Sequence, residues 1–309
     1  MRVYRFRQWR FHICPATFYP DVRFCCREKT EAVDLLTYWR LNERPFEPTW
    51  DTRFFFEGRE HDEALSRLGF LVSEQSMLLG MLTGEVGCGK TLTRAVFTDH
   101  LATDRFCVVT QENSSFRFND LLELVLRAVD GEPPSRRRGK LARYDSFLKI
   151  IERLAAEKRH LVLIFDEAQE MSPATLNELK QLTNLNRAGK SLLTVILVGQ
   201  PELRERVARL PAINQRISLR FHLHPLSRAE AGDYLRHRLK AAGHPSGDLF
   251  PPDAVDRAYE ASQGVPRELN RIAKLALEFA WVQEYPEVNS IAVDAVVRDL
   301  RQHQNLPQA

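Results

Sequence analysis

The chain has 309 residues, 44% of them hydrophobic and 28% charged, and a formal net charge of +3. That is an ordinary soluble composition, long enough for one large core and a smaller satellite domain. The charge is too balanced to imply nucleic acid by itself, and no apolar run reaches the roughly 18 residues of a membrane span.

Residues 1 to about 36 mix Arg2, Arg5, Arg7 and Arg10 with Tyr4, Phe6, Trp9 and Phe11. They read either as a basic-aromatic arm for nucleic acid or a membrane surface, or as a poorly ordered extension. The second is the expectation, because termini are loose unless tied down. No apolar stretch follows the basic start, so a secretory signal is not expected. The five cysteines, Cys14, Cys25, Cys26, Cys88 and Cys107, are odd in number and include an adjacent pair. That suits neither a disulfide framework nor a zinc site. They read as reduced thiols of a cytoplasmic protein.

From Met77 the chain alternates strand-like and helix-like stretches. Short apolar runs predict strands at 77–83, 107–111, 161–165 and 192–198, with an alternating strand at 217–223. Helical spacing predicts helices over 91–101, 118–129, 144–158 and from the 161–165 strand to about Asn186. Such alternation predicts an α/β layer structure with a parallel sheet covered on both faces. After Pro225 only helices are predicted, at 227–242, 252–262, 266–283 and 291–303, punctuated by Pro251-Pro252 and Gly264-Val265-Pro266. The expected organisation is an N-terminal extension (1–36), an α/β core (37–224) and a small helical domain (225–309).

The strongest motif is Gly84-Glu85-Val86-Gly87-Cys88-Gly89-Lys90-Thr91, with Leu92 next in the helix. It is a complete Walker A loop. Its glycines let backbone amides curl round phosphate oxygens. Lys90 is expected between the β- and γ-phosphates, and the Thr91 hydroxyl on Mg2+. The helix that follows turns its positive end toward the phosphates. Leu161–Phe165 delivers Asp166 and Glu167 at its C-terminal end, the pattern of a Walker B strand. Asp166 is expected to hold Mg2+ through water, and Glu167 to polarise the attacking water. Gln200, at the tip of the next strand, is a candidate sensor of the γ-phosphate. Arg216, in preference to Arg220, is a candidate to face a neighbouring subunit's nucleotide. Arg267, at a helix start behind Gly264-Val265-Pro266, is a candidate to swing toward the γ-phosphate. The basic run from Pro133 to Lys140 is a candidate DNA contact or a solvated loop; the solvated loop is the expectation. His222 and His224 read as ordinary strand residues.

Together these motifs resemble an AAA+ ATPase. The likeness is nearest to the ExeA-like (general secretion pathway protein A) group and its TniB and TnsC transposition relatives. It is carried by Tyr38-Trp39-Arg40-Leu41, Arg44-Pro45-Phe46-Glu47-Pro48 and Arg53-Phe54-Phe55-Phe56. It continues through the Walker A loop, Asp166-Glu167-Ala168-Gln169 and Val198-Gly199-Gln200-Pro201-Glu202-Leu203. Asn214-Gln215-Arg216-Ile217 and Gly264-Val265-Pro266-Arg267 complete it. The resemblance implies a P-loop NTPase core with a helical lid, binding and hydrolysis of ATP with Mg2+, and rings or filaments with the site at a subunit interface. It implies that Pro45 and Phe46 pack near the adenine. The secretion proteins of the group resemble a cytoplasmic ATPase joined to a membrane helix and a peptidoglycan-binding domain, and this sequence shows neither. The competing expectations are a DNA-associated ATPase of the transposition kind and an ATP-binding scaffold that hydrolyses little.

Overall fold

The computed structural model describes residues 34–75, 79–131, 139–182, 184–187 and 190–304. The N-terminal arm, Cys14, Cys25 and Cys26, and most of the basic run after Pro133 lie outside the described residues. The described residues from Leu35 onward form one compact unit.

The chain enters through a short helix α1 (Leu35–Tyr38), an extended strap and a 3-10 turn at Thr52–Phe54. Helix α2 (Arg59–Glu74) leads to strand β1 (Leu79–Gly84) and helix α3 (Lys90–His100). Next come β2 (Phe106–Gln111), α4 (Phe118–Asp130), α5 (Lys140–Ala156) and β3 (His160–Phe165). After a 3-10 turn come α6 (Pro173–Leu182) and a small antiparallel pair, β4 (Asn186–Arg187) and β5 (Lys190–Ser191). Strand β6 (Leu193–Gly199), α7 (Pro201–Ala208), α8 (Pro211–Asn214) and β7 (Leu219–Leu223) complete the sheet region. Four helices follow: α9 (Arg228–Ala241), α10 (Pro252–Ser262), α11 (Pro266–Val282) and α12 (Ser290–Gln304).

Five strands form a parallel sheet in the order β2-β3-β6-β1-β7. The period-2 geometry of a strand explains why single-residue steps change layer. In β3, Leu161, Leu163 and Phe165 pack among α4, α5 and α6, while Val162 and Ile164 pack among α2 and α3. In β6, Leu193, Val195 and Leu197 split in the same way from Ile196 and Val198. Strands buried on both faces are apolar at nearly every position, which is why they appear in the sequence as near-continuous runs; the buried polar pair His160 and Thr194 is satisfied across β3 and β6 at 2.9 Å. Each fully buried leucine here contributes about 1.5–3 kcal/mol by leaving water.

Two elements differ from expectation. Helix α2 precedes Met77, where the predicted alternation began; its Ala64, Leu68, Leu71 and Val72 carry the helical spacing and pack on the sheet. The helix predicted to run to about Asn186 stops at Leu182, and Asn186–Arg187 pairs with Lys190–Ser191 instead. Asn184 and Asn186 are weak helix formers that favour turns, which ends the helix early.

The helices after β7 have their own apolar cluster, and the strap belongs to it. Leu35, Trp39, Leu41, Phe46 and Phe54 are buried with Leu235, Leu269, Ile272 and Leu277. Trp39 Nε1 donates to the Leu277 carbonyl at 3.3 Å, and Tyr38 donates to the Tyr285 carbonyl at 2.8 Å. Arg238 fastens the strap from the other side. Its guanidinium donates to the Pro45 and Glu47 carbonyls at 2.7 and 2.9 Å and lies over the Phe54 ring. No helix among the described residues is long and apolar enough to cross a membrane.

Candidate nucleotide site

The loop from Gly84 to Gly89 leaves the C-terminal end of β1, between β6 and β7. This is where open parallel sheets place ligands. Gly87 and Gly89 have φ of 88° and 92°, which L side chains rarely adopt. A Cβ at Gly87 would also come within 2.7 Å of the Arg267 Cβ. So the loop is both curled and closely covered. Lys90 is buried and its ammonium donates to the Gly84 and Glu85 carbonyls at 2.8 and 2.9 Å. Burial pulls its pKa below the usual lysine value. Glu85 and Val86 are exposed on the loop's outer side, while Cys88 is buried beneath it and its thiol is pushed up by burial. Thr91 and Leu92 are half-buried in the first turn of α3. No side chain caps that helix, so its first N–H groups face the loop and suit an anion.

Asp166 and Glu167 follow β3 directly. Asp166 is 3% exposed. Its Oδ1 accepts from the Glu167 N–H at 2.9 Å, and its Oδ2 lies 3.1 Å from Arg94 Nε. That N–H is not aimed at the oxygen, so the contact is an ion pair without a hydrogen bond. Burial raises the Asp166 pKa, and Arg94 and the Glu167 N–H offset only part of it. Arg94 stands four residues beyond Lys90 on α3, the same helix face, which is the sequence signal that could have found it. A hydroxyl at Thr91 and a carboxylate at Asp166 are the hard oxygen donors that Mg2+ takes. Each Asp166 oxygen keeps a lone pair beyond the contact it already makes, so the residues fit a water-mediated ion.

Glu167 has φ 48° and ψ 39°. The other described non-glycine residues with positive φ, such as Gln75 and Gln263, end helices; Glu167 follows a strand. Such backbone costs about 1–3 kcal/mol and gathers at working sites. Its Oε2 accepts from Gln169 Nε2 at 2.5 Å and from Gln200 Nε2 at 3.3 Å. Gln200 and Glu167 are thus brought together across the tips of β6 and β3. Gln169 is the residue that sequence reasoning passed over, although it stands inside the Asp166–Gln169 motif.

Arg267 is exposed, but its backbone N–H donates to the Gly87 carbonyl at 3.2 Å. The first turn of α11 therefore rests on the phosphate loop. Arg216 and Arg220 are not brought to this site. Both lie toward the start of β7, where Arg220 is level with Met81, and the loop leaves from the other end of the strand. Arg216 donates to Asn184 Oδ1 at 2.7 Å; Arg220 is bound back to Asn214 and Ile217. Pro45 and Phe46 make their contacts in the helical region, with Phe46 edge-on to Phe250 at 6.0 Å. The imidazole that reaches the loop is His61, whose Nε2 lies 3.2 Å from the Cys88 carbonyl and whose ring meets Phe55 edge-on at 5.7 Å. His222 lies beside Thr83, 3.0 Å from its hydroxyl, and His224 is exposed. No group of three or more metal-ligating side chains occurs among the described residues.

The sheet order, the loop and the helices that close on it define an AAA+ protein of the P-loop class. A family model described as "AAA domain" matches residues 74–207. Within that class the chain belongs to the ExeA-like group: it is 34% identical over 249 residues to general secretion pathway protein A of Aeromonas hydrophila. That match covers 80% of this chain and 45% of the relative, so the chain spans about half the relative's length. Among solved structures, the Aeropyrum pernix ORC2 protein in ADPNP-ADP complexes gives a TM-score of 0.64 at 17% identity, covering 86% of this chain and 75% of that one. Cdc6p from Pyrobaculum aerophilum gives 0.62 at 17% identity, covering 85% and 74%. These two likenesses concern the fold.

Proposed function

We propose that this protein binds ATP with Mg2+, hydrolyses it, and couples hydrolysis to a conformational change of an oligomer or a protein partner, in the manner of the secretion-type ATPases. The observation that carries the proposal is the meeting of Lys90, Asp166, Glu167 and Gln200 at one edge of the sheet. The amides of Gly84 to Thr91 and the Lys90 ammonium would hold the β- and γ-phosphates. Mg2+, held by Thr91 and, through water, by Asp166, would neutralise phosphate charge. Glu167 would take a proton from water as its oxygen attacks the γ-phosphorus and the bond to the β-phosphate oxygen breaks. Gln200, hydrogen-bonded to Glu167, would register the γ-phosphate.

The chain divides functionally near residue 225, into a nucleotide core and a helical lid to which the strap adds its apolar side chains. The contact of α11 with Gly87 supports Arg267 as a reader of ATP against ADP. Phe46 is buried, so in the adenine role it would form a wall and not a stacked ring. Arg216 lies away from its own P-loop; in the trans role it would serve the site of a second copy. The odd count of five cysteines with an adjacent pair supports a reducing, cytoplasmic setting.

The test is ATP turnover by the intact chain with and without Mg2+, with sizing by light scattering in ATP and in ADP. Turnover that disappears in Lys90→Ala, with a fall on the order of 10²–10³-fold, is the expected result. Tight ATP binding without turnover in the wild type would leave a scaffold instead. Salt-sensitive stimulation by duplex DNA would move the partner from protein to DNA.

A further inference from the structure

We propose that Gln169 is a positioning residue for Glu167, and that it links the tip of β6 to the carboxylate expected to activate water. The inference rests on that reading of Glu167, and it names a residue that the motif reading assigns no task. Gln169 is 7% exposed. Both ends of its carboxamide are engaged. Nε2 donates to Glu167 Oε2 at 2.5 Å, and Oε1 accepts from the Gln200 backbone N–H at 3.0 Å. The 3-10 turn that carries it is pinned on both sides, by Glu170 N–H to the Glu167 carbonyl and by Arg206 to the Met171 carbonyl at 3.1 Å. Gly199 keeps the amide in place: a Cβ there would come within 2.7 Å of Gln169 Oε1.

The consequence for Glu167 is geometric. Oε2 receives two amide donors, from Gln169 and Gln200, and Oε1 has no hydrogen-bond partner among the described residues. One oxygen is fixed and the other is left to receive a proton. A glutamate side chain has three rotatable bonds, and holding it is worth more than its charge alone when the attacking water must be met in line. Gln200 reaches Glu167 twice, directly and through Gln169, so a shift of the β6 tip moves the carboxylate.

The experiment uses the full chain and three substitutions. Gln169→Glu keeps the acceptor for the Gln200 N–H but loses the donor to Glu167. Gly199→Ala presses on the amide while leaving both Gln169 and Glu167 chemically unchanged. Both should lower kcat on the order of 10²-fold, with KM and the Kd of a fluorescent ATP analogue within about twofold of wild type. Glu167→Gln enters a thermal-unfolding cycle with Gln169→Glu. The single Gln169→Glu change sets two carboxylates together and should lower Tm by roughly 5 °C. The double variant restores a donor and an acceptor and should recover most of that loss. Additive Tm values would overturn the contact. An active wild type whose kcat survives both Gln169→Glu and Gly199→Ala would overturn the positioning role. An inactive wild type would instead strike the hydrolysis reading, and the thermal cycle would still decide the contact.

Discussion

The sheet edge and the helical lid both meet the phosphate loop, but by different means. The sheet presents buried and half-buried side chains joined to one another: Asp166 to Arg94, Glu167 to Gln169, Gln169 to the backbone of Gln200. The lid presents one backbone N–H on Gly87 and an exposed arginine side chain above it. Groups tied into a buried network keep their geometry whatever is bound, whereas a single main-chain contact can part and re-form. On the proposed function, the sheet would fix the chemistry and the lid would respond to it.

Substitutions can break that contrast or sharpen it. The largest effect is expected from the sheet. Glu167→Gln should cut ATP turnover by about 10²–10⁴-fold while ATP stays bound and the oligomer enlarges; the check is turnover beside light scattering. Unchanged turnover would remove the sheet edge as the seat of chemistry. Next comes the strap. Trp39→Ala should cost about 3–5 kcal/mol, read as a lower midpoint in denaturant unfolding. Smaller is Arg267→Ala, which should reduce discrimination between ATP and ADP by on the order of 10-fold with little change in stability. A fall in turnover as deep as that of Glu167→Gln would erase the division between the two regions.

The last effect, nil above pH 6.5, concerns the sheet alone. His160 is buried on β3, 2.9 Å from Thr194 Oγ1, and burial lowers its pKa from 6.5 to about 4. Above pH 6.5 both folded and unfolded chains hold it neutral, and nothing changes. Below 6.5 the unfolded chain takes a proton that the folded chain refuses until about pH 4. Stability should therefore fall by at most about 1.4 kcal/mol per pH unit across that window. A His160→Asn variant should show a shallower fall between pH 6.5 and 5, measured by thermal unfolding.

The strands and the phosphate loop were legible because their signals are local. A strand covered on both faces is apolar at nearly every position, and a loop that wraps phosphate needs glycine at fixed places. The helices after Pro225 were legible through proline at their starts, as at Pro252 and Pro266. What escaped depends on contacts between distant segments. Nothing local marks Phe46 for the lid, since its neighbours Phe250 and Leu277 lie more than two hundred residues away. Arg94 and Gln169 are polar residues whose worth comes from what the fold sets beside them. Helix α2 carried a readable period, yet it precedes the motif that drew the eye.

The strap has a further consequence, for the order in which the molecule acquires its shape. Trp39 is among the first residues of the compact unit to leave the ribosome, and its partner Leu277 is among the last. Closing so long a loop carries an entropic cost that only the completed α9–α12 cluster can offset. The phosphate loop, β3 and β6 need nothing beyond about residue 223 to pair. During synthesis every strand of the sheet is therefore made while Trp39, Phe46 and Phe54 still lack their seats, and the aromatic side chains of the strap emerge before the residues that cover them. A chaperone that recognises apolar segments would find its substrate at that stage, in the residues that later fasten the lid.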